Sequence, residues 1–369
     1  MKKVLYIGGF ELPDKNAAAQ RVMANAKLLR EMGFDVTFIG ISKDLHNAPC
    51  MVDGFVSNPI AYPSNTRQWF YHIYRFIDCE AILKQKPDYV VLYNFPSLAS
   101  LNILQVCRKN GIKVYHDITE WESVKGLSLR NIIQYIDIQL RMKFCLKRMD
   151  GIIAISRYLY NYYCNYTTTI LIPPTVDLEN SKFQRTRELS SSKDKIKLVY
   201  AGSAGLVATK DRLDYIIEAV NNFPNIQLDI VGLTKEQFQK IFSSEIIINN
   251  NVIFHGRVSH NEAVQFVCDA DFQMLIRENT LKNKAGFPTK FVESFSCCTP
   301  IIATVTSNIS DYLINGVNGF LVTNKCSLTD VFYKISNLST IDIINMKKAC
   351  KESTVFDYHN YKDEFLKLF

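Results

Sequence analysis

Lys284–Val322 reads KAGFPTKFVESFSCCTPIIATVTSNISDYLINGVNGFLV, and the order of its parts decides the fold. Gly286-Phe287-Pro288-Thr289 is a helix start. Proline is tolerated in the first turn, where its missing N–H would have no partner anyway, and the glycine before it lets a ligand approach the backbone. The free N–H groups and positive dipole end of such a start attract an anion. Lys290 adds a point charge, and Glu293, one turn on, is placed to accept hydrogen bonds from sugar hydroxyls. An ordinary capped helix with Lys290 and Glu293 facing solvent has the same pattern. After the helical stretch Thr289–Cys297 come the apolar run Pro300–Ala303, a short helical stretch Ser307–Ile314 and a second apolar run Gly319–Val322. Apolar runs alternating with helical patterns mark a parallel sheet covered by helices.

The alternation extends in both directions. In the second half, strands are expected at Ile196–Tyr200, Ile226–Val231, Val252–Phe254 and Phe272–Leu275, with helices at Lys210–Asn222, Lys235–Phe242, His260–Cys268 and Leu328–Leu338. In the first half, strands are expected at Val4–Ile7, Val36–Ile41, Tyr89–Tyr93, Lys113–His116, Gly151–Ile155 and Thr169–Ile172. Helices there are expected at Ala17–Met32, Thr66–Leu83, Ser97–Asn110 and Leu127–Met149. The strands are nearly continuous apolar runs, as when both sheet faces are covered. Pro173-Pro174 and the polar stretch Leu178–Lys195 interrupt the pattern and read as a linker. The expected fold class is therefore α/β, with two Rossmann-like parallel-sheet domains facing across a cleft. Ligand groups then belong on loops at the carboxyl ends of strands.

Composition narrows the function classes. With 369 residues, 47% of them hydrophobic and 21% charged, the chain is long enough for two folded domains. The net charge is +7, and residues 1–181 hold 21 Lys+Arg against 16 Asp+Glu. That excess is too mild for a nucleic-acid binder without an accompanying motif, so no nucleic-acid partner is expected; it suits an anionic substrate or an acidic lipid surface. No run approaches the ~20 apolar residues that span a bilayer, and MKKVLYIGGF is too short an apolar stretch for a signal peptide. Ten cysteines without C-x-x-C spacing read as reduced thiols, mostly small hydrophobes. A cytoplasmic protein is expected. The aromatic stretch Arg67–Phe76 (RQWFYHIYRF) and the basic segment Arg141–Arg148 suggest peripheral contact with the inner membrane face; a core helix with snorkelling arginines is the other reading.

Lys284–Val322 resembles the donor-site region of family 4 retaining glycosyltransferases of the GT-B fold, of the type that assembles bacterial glycans and polysaccharides. That pattern is typically E-G-F-G-x-x-x-x-E, then G-x-P-V-I-A, then D-G-x-N-G. Gly286, Phe287, Glu293, the run Thr299–Ala303 and Asn315–Gly319 match in order and spacing. The first glutamate of the pair is replaced by Ala285, a position that in the family contacts the donor sugar. The resemblance implies that Glu293 binds the nucleotide ribose and that backbone amides near Phe287–Thr289 face the donor sugar and diphosphate, with Gly286, Phe287, Pro288, Thr289 and Lys290 as donor-binding residues.

Further matches extend the resemblance along the chain. Tyr200-Ala201-Gly202-Ser203 with Lys210-Asp211 resembles the Y-x-G-R…K-G element that neutralises the diphosphate. Ser203 stands for the arginine, Lys210 keeps the lysine, and Arg212 or Arg277 can compensate. Leu12–Val22 resembles the P-x-x-G-G-x-x-x-R-V turn, with Asn16 as helix cap, Ala17 and Ala18 in place of the glycines, and Arg21 retained. Tyr115–Trp121 resembles the acidic and histidine element at a strand end, so His116, Asp117 and Glu120 are the candidates to bond the donor sugar or to position or deprotonate the acceptor hydroxyl.

The resemblance implies an acceptor domain over residues 1–175, onto which a C-terminal helix at 353–369 packs back, and a donor domain over 190–352. The activity implied is retaining transfer of a sugar from a nucleoside diphosphate sugar to a hydroxyl of a glycan or lipid-linked acceptor. No metal or other cofactor is expected, because cations and a helix start can stabilise the leaving group. A nucleotide-sugar epimerase of similar architecture and a degenerate, non-catalytic sugar-nucleotide-binding protein are the alternatives. A Rossmann dehydrogenase would need a G-x-G-x-x-G fingerprint, and Gly8-Gly9 is not one.

Overall fold

The structure is a computed structural model that describes residues 1–369 except 14–15, 44, 46–48, 125, 127, 192–193 and 203–210. The chain forms two compact units. Unit 1 holds Met1–Val176, Ala285–Phe287 and Tyr358–Phe369; unit 2 holds Asp177–Lys284 and Pro288–Asp357.

Unit 1 contains β1 (Lys3–Gly8), β2 (Asp35–Ile39), β3 (Ile41–Ser42), β4 (Cys50–Val52), β5 (Phe55–Ser57), β6 (Ile60–Ala61), β7 (Tyr89–Tyr93), β8 (Lys113–Ile118), β9 (Gly151–Ala154) and β10 (Thr169–Leu171). Eight of them make one sheet in the order β10-β9-β8-β7-β1-β2-β5-β4, parallel except for β4 against β5, while β3 and β6 pair separately. The helices are α1 (Ala17–Glu31), α2 (Thr66–Tyr74), α3 (Cys79–Lys84), α4 (Ser97–Lys109), α5 (Leu129–Leu140) and α6 (Arg157–Tyr163). Most start on side-chain caps: Asn16, Asn65, Asp78, Ser128 and Ser156 each accept a backbone N–H of the first turn. The core is built from the strand faces and the inner face of α1, with Val4, Tyr6, Phe38, Val91, Ala26 and Leu29 fully or almost fully buried.

Unit 2 contains β11 (Ile196–Ala201), β12 (Ile226–Val231), β13 (Val252–Gly256), β14 (Phe272–Leu275), β15 (Ile301–Thr304) and β16 (Gly319–Val322). All are parallel, in the order β13-β12-β11-β14-β15-β16. Its helices are α7 (Leu213–Val220), α8 (Lys235–Ile241), α9 (His260–Asp269), α10 (Leu281–Ala285, whose last residue belongs to unit 1), α11 (Thr289–Ser296), α12 (Lys325–Ser336) and α13 (Thr340–Glu352). A last helix, α14 (Lys362–Phe365), lies in unit 1, where Tyr358 N–H donates to the Val176 carbonyl and its hydroxyl to Glu31. Each unit reverses strand order once, between β1 and β7 and between β11 and β14. In such sheets the crevice at the carboxyl ends of that pair is where ligands bind.

The α/β parallel-sheet class expected from the sequence is the class observed. Four helices differ from expectation, the C-terminal one at 353–369 being only the 3₁₀ turn Tyr358–Tyr361 and α14. Thr66–Leu83 is broken: Phe76 turns left-handed (φ 58) with its side chain buried, and Asp78 caps a fresh start at α3. Leu127–Met149, whose first residue lies outside the described set, is helical only to Leu140. It then widens into a π turn at Arg141–Cys145 and tightens into a 3₁₀ turn at Leu146–Arg148. Ser307–Ile314 shrinks to one 3₁₀ turn, Ile309–Asp311. There Ser307 is left-handed, and Asn318 takes the Ile314 N–H and the Tyr312 carbonyl that a helix would have used. Among the described residues no helix is long and apolar enough to cross a membrane.

Candidate functional site

The strand-order reversal in unit 2 puts the carboxyl end of β11 beside that of β14. Gly202, the residue after β11, has φ +133, and a Cβ there would lie 2.5 Å from the Lys290 side chain. Gly232, after β12, has no room either: its Cβ would meet the Gly202 backbone at 2.7 Å. Gly202 needs glycine because the Lys290 chain runs across it, and Gly232 because the Gly202 backbone does; both also have positive φ.

Asp211 is the hub of the edge. Its carboxylate is fully buried and accepts from Tyr200 Oη at 2.8 Å, Arg277 Nε at 2.7 Å and Lys290 Nζ at 2.6 Å. Burial alone would raise its pKa, but Lys290 and Arg277 outweigh burial and hold it below the usual carboxylate range. Lys290 Nζ also sits 3.7 Å from the centroid of the Tyr200 ring. Two cations therefore converge on one carboxylate, leaving this trio one positive charge in excess. Arg277 is further fixed by its N–H donating to Thr304 Oγ1 at 2.7 Å. Arg212, the other compensating candidate, is instead held by Asp214 and Glu278.

The start of α11 supplies the rest. Pro288 is the residue before the first turn of α11 and offers no side-chain cap, while its carbonyl accepts the Phe291 N–H. Thr289 is exposed, Lys290 half-buried and Pro288 buried. One turn on, Glu293 is 23% exposed at its side chain, with His260 Nε2 3.9 Å from its Oε1. Burial pushes the Glu293 carboxyl up, against the pull of His260, Lys182 and Lys290. Gly202, Arg277, Lys290 and Glu293 thus fall on one edge of unit 2. Ser203 and Lys210 lie outside the described residues. Gly286 and Phe287 belong with unit 1, as does Ala285, which is fully buried with its carbonyl accepting from Ser156 Oγ at 2.6 Å.

In unit 1 the expected residues divide between two networks. Asn16 caps α1 by accepting from Ala19 N–H at 2.8 Å; Ala17 is exposed and Ala18 half-buried in the same turn. Arg21 is buried. It donates through Nε to Asp117 Oδ1 at 2.9 Å, places Nη2 2.8 Å from the same oxygen, and donates through Nη1 to the Ile172 and Pro173 carbonyls. Asp117 also accepts from Tyr6 Oη at 2.6 Å and Asn25 Nδ2 at 3.2 Å, and is fully buried. Arg21 and Asp117 are therefore each other's counter-ion, tying α1 to β8 and the chain leaving β10.

His116 is fully buried in β8 and accepts the Phe95 N–H at Nε2. Burial, with Arg141 nearby, pushes it down to about 3, so it is neutral at physiological pH. Glu120, just beyond β8, is half-buried, the one of the three that is not enclosed. The loops around it hold Asn94, left-handed (φ 42), which exchanges two hydrogen bonds with Thr119, and Arg141, which donates to the Asn94 carbonyl and pairs with Glu122.

Sequence reading missed Asp211, Arg141 and Asn94 as organisers. An acid directly after the expected lysine is a signal for the first. The left-handed conformation of Asn94 and the π turn at Arg141 leave no mark in spacing.

Comparison with known proteins adds the following. Residues 182–354 match the family model described as glycosyl transferases group 1. No curated protein matches the sequence. Among solved structures, sucrose-phosphate synthase from Thermosynechococcus elongatus is 15% identical with a TM-score of 0.75, over 100% of this chain and 98% of that one. HepE of Anabaena, in complex with UDP and glucose, is 14% identical with a TM-score of 0.67, over 100% and 99%. The lipopolysaccharide outer core galactosyltransferase WaaB is 16% identical with a TM-score of 0.66, over all of both chains. At these identities the likeness is one of fold, and the fold is GT-B. The family match and the fold together support a nucleotide-sugar-dependent glycosyltransferase.

Proposed function

We propose that the chain transfers a sugar from a nucleoside diphosphate sugar to a hydroxyl of a glycan or lipid-linked acceptor, with retention of configuration and without a metal. One observation carries the reading. The segment matching glycosyl transferases group 1 contains Asp211, Arg277, Lys290 and Glu293, which gather at the carboxyl edge of a parallel sheet beside the start of α11. Lys290, Arg277 and the α11 N–H groups take the diphosphate, whose charge grows as the glycosidic bond breaks. Asp211 is a positioning residue that holds both cations at fixed points. Glu293 accepts from the ribose hydroxyls. Of the three candidates His116, Asp117 and Glu120, Glu120 takes the acceptor hydroxyl in this reading because it alone is not enclosed, while His116 and Asp117 hold the strand end that carries it.

The test is thermal stabilisation by a panel of nucleotides and nucleotide sugars, followed by turnover with the donors that bind. UDP-sugars enter the panel because HepE was solved with UDP-glucose. A ligand that binds only the folded state raises its melting temperature. Stabilisation by a nucleoside diphosphate with release of that nucleotide on adding acceptor supports the proposal. Absence of stabilisation by every nucleotide refutes it.

A further inference from the structure

Unit 1 carries an apolar surface that nothing in the described chain covers. Helix α2 reads TRQWFYHIY and contains no buried residue. Helix α5 reads LRNIIQYIDIQL and buries only Ile138. Leu129 (71% exposed), Ile132, Ile136 (51%), Leu140 and, in the following turn, Phe144 all face solvent. Their spacing of three and four residues makes one continuous stripe. Tyr135 extends it, and Phe70, Tyr71 and Tyr74 (58%) add exposed aromatic area on α2. The two helices form one face: both pack on α4, and the Arg130 guanidinium of α5 lies 4.9 Å from the Trp69 ring centroid of α2.

The charge around this face is one-sided. Arg67, Arg130, Lys143 and Arg148 are exposed along it, whereas α2 contains no acid. The single acid of α5, Asp137, is turned inward and accepts both the N–H and the hydroxyl of Ser97 at the start of α4. Asp78 and Glu80 lie at the start of α3, where Asp78 is committed as the cap. Exposed aliphatic and aromatic side chains ringed by arginine and lysine fit the boundary between headgroups and acyl chains. There aromatic rings and arginine stems insert while the cations meet lipid phosphates. We propose that unit 1 docks on an anionic bilayer through the outer face of α2 and α5. The proposal is independent of which donor or acceptor the chain uses.

Co-sedimentation of the full chain with phosphatidylcholine vesicles, with and without about 30% phosphatidylglycerol, tests it. The wild type pellets with the anionic vesicles, and its tryptophan emission shifts to the blue as Trp69 enters the interface. The triple variant Ile132→Ser, Ile136→Ser, Leu140→Ser alters only exposed positions, keeps its circular dichroism and melting temperature, and partitions at least about tenfold more weakly. Arg67→Glu, Arg130→Glu, Lys143→Glu together weaken partition by about 100-fold or more, since each basic residue near an anionic surface contributes about fivefold. The proposal is overturned if the wild type ignores anionic vesicles or if the serine variant binds as well as wild type. It is equally overturned if light scattering shows a wild-type dimer that the serine substitutions dissociate while vesicle binding is absent, which would make the occupant a second copy.

Discussion

Replacing Asp211 with asparagine tests whether the cation pair in unit 2 is held in place by one buried charge. Asparagine has nearly the same shape, but it offers one acceptor oxygen where Tyr200, Arg277 and Lys290 now share two. Its amide nitrogen must face one of the two cations, and both cations lose their counter-ion in a site only 10–12% exposed on their side. Removing one partner of a buried ion pair costs about 3–5 kcal/mol, which for a unit of this size lowers the melting temperature by roughly 6–20 °C. Lys290→Met removes one donor while Arg277 and Tyr200 still hold the carboxylate, at a cost of about 1.5–3 kcal/mol. The decisive variant is the double one. With Asp211 neutral, Lys290 has lost the carboxylate it donates to, so deleting it costs less than it does in the wild type, and the double variant is destabilised by less than the sum of the singles. Urea unfolding, comparing midpoints and slopes across the four proteins, measures this. If the double variant is destabilised by the sum of the singles to within about 0.5 kcal/mol, the two residues are not coupled. The positioning role of Asp211 then falls.

The remaining predictions concern the ligand. Burial raises the Glu293 pKa, so its ionised form weakens the folded state as pH rises through that raised value. Glu293→Gln therefore makes the free protein more stable at pH 7, a gain that fades on acidification, while calorimetry shows nucleotide affinity falling by about 10–100-fold; equal affinity removes Glu293 from the site. Asp211 has the opposite sign, with stability present above the unfolded carboxylate range and lost as pH falls through its depressed folded value, so K290M moves acid unfolding to higher pH. Transfer activity survives EDTA if protein cations replace a metal; loss on chelation with recovery on Mg²⁺ or Mn²⁺ would falsify that assignment. Ala285 places a methyl where the family resemblance has a carboxylate, so the wild type should discriminate less than about tenfold in kcat/KM between a hexosyl donor and its deoxy counterpart. A preference above about 10³-fold for the hydroxylated donor defeats that reading.

The strands were legible because each is a short apolar run bounded by turn residues. Tyr89–Tyr93, Ile226–Val231, Phe272–Leu275 and Gly319–Val322 have the expected limits. The β4–β5 hairpin, the break at Phe76 and the π turn at Arg141 were not. The hairpin turns on Asp53-Gly54, both at positive φ, a local signal that went unread; the break at Phe76 and the π turn at Arg141 depart from a local pattern that on its own favours continuous helix. Within the candidate site, residue types and order were legible, but their pairing was not. Spacing put Lys290 near a ligand and left Asp211 as the residue after a lysine. Only the folded sheet, with β11 next to β14, brings residues 211, 277 and 290 to one point.

Pairing is also what separates a structural network from a ligand site in this chain. Both units build a buried aspartate, a tyrosine hydroxyl and an arginine around the carboxyl-terminal half of a strand: Asp117 with Tyr6 and Arg21, and Asp211 with Tyr200 and Arg277. In unit 1 the charges balance, one carboxylate to one guanidinium, and Arg21 spends its remaining donor on the carbonyls of Ile172 and Pro173. Such a cluster has no net charge to offer a ligand and serves to fix α1 against the sheet. In unit 2 a second cation, Lys290, joins the same geometry at the first turn of α11, where the helix dipole adds positive potential. Lys290 and Arg277 are 12% and 10% exposed, and in the proposed reaction this small opening is where they would meet the diphosphate. The sequence feature that separates the two networks is thus a single lysine four residues after Gly286, in a helix that begins with proline.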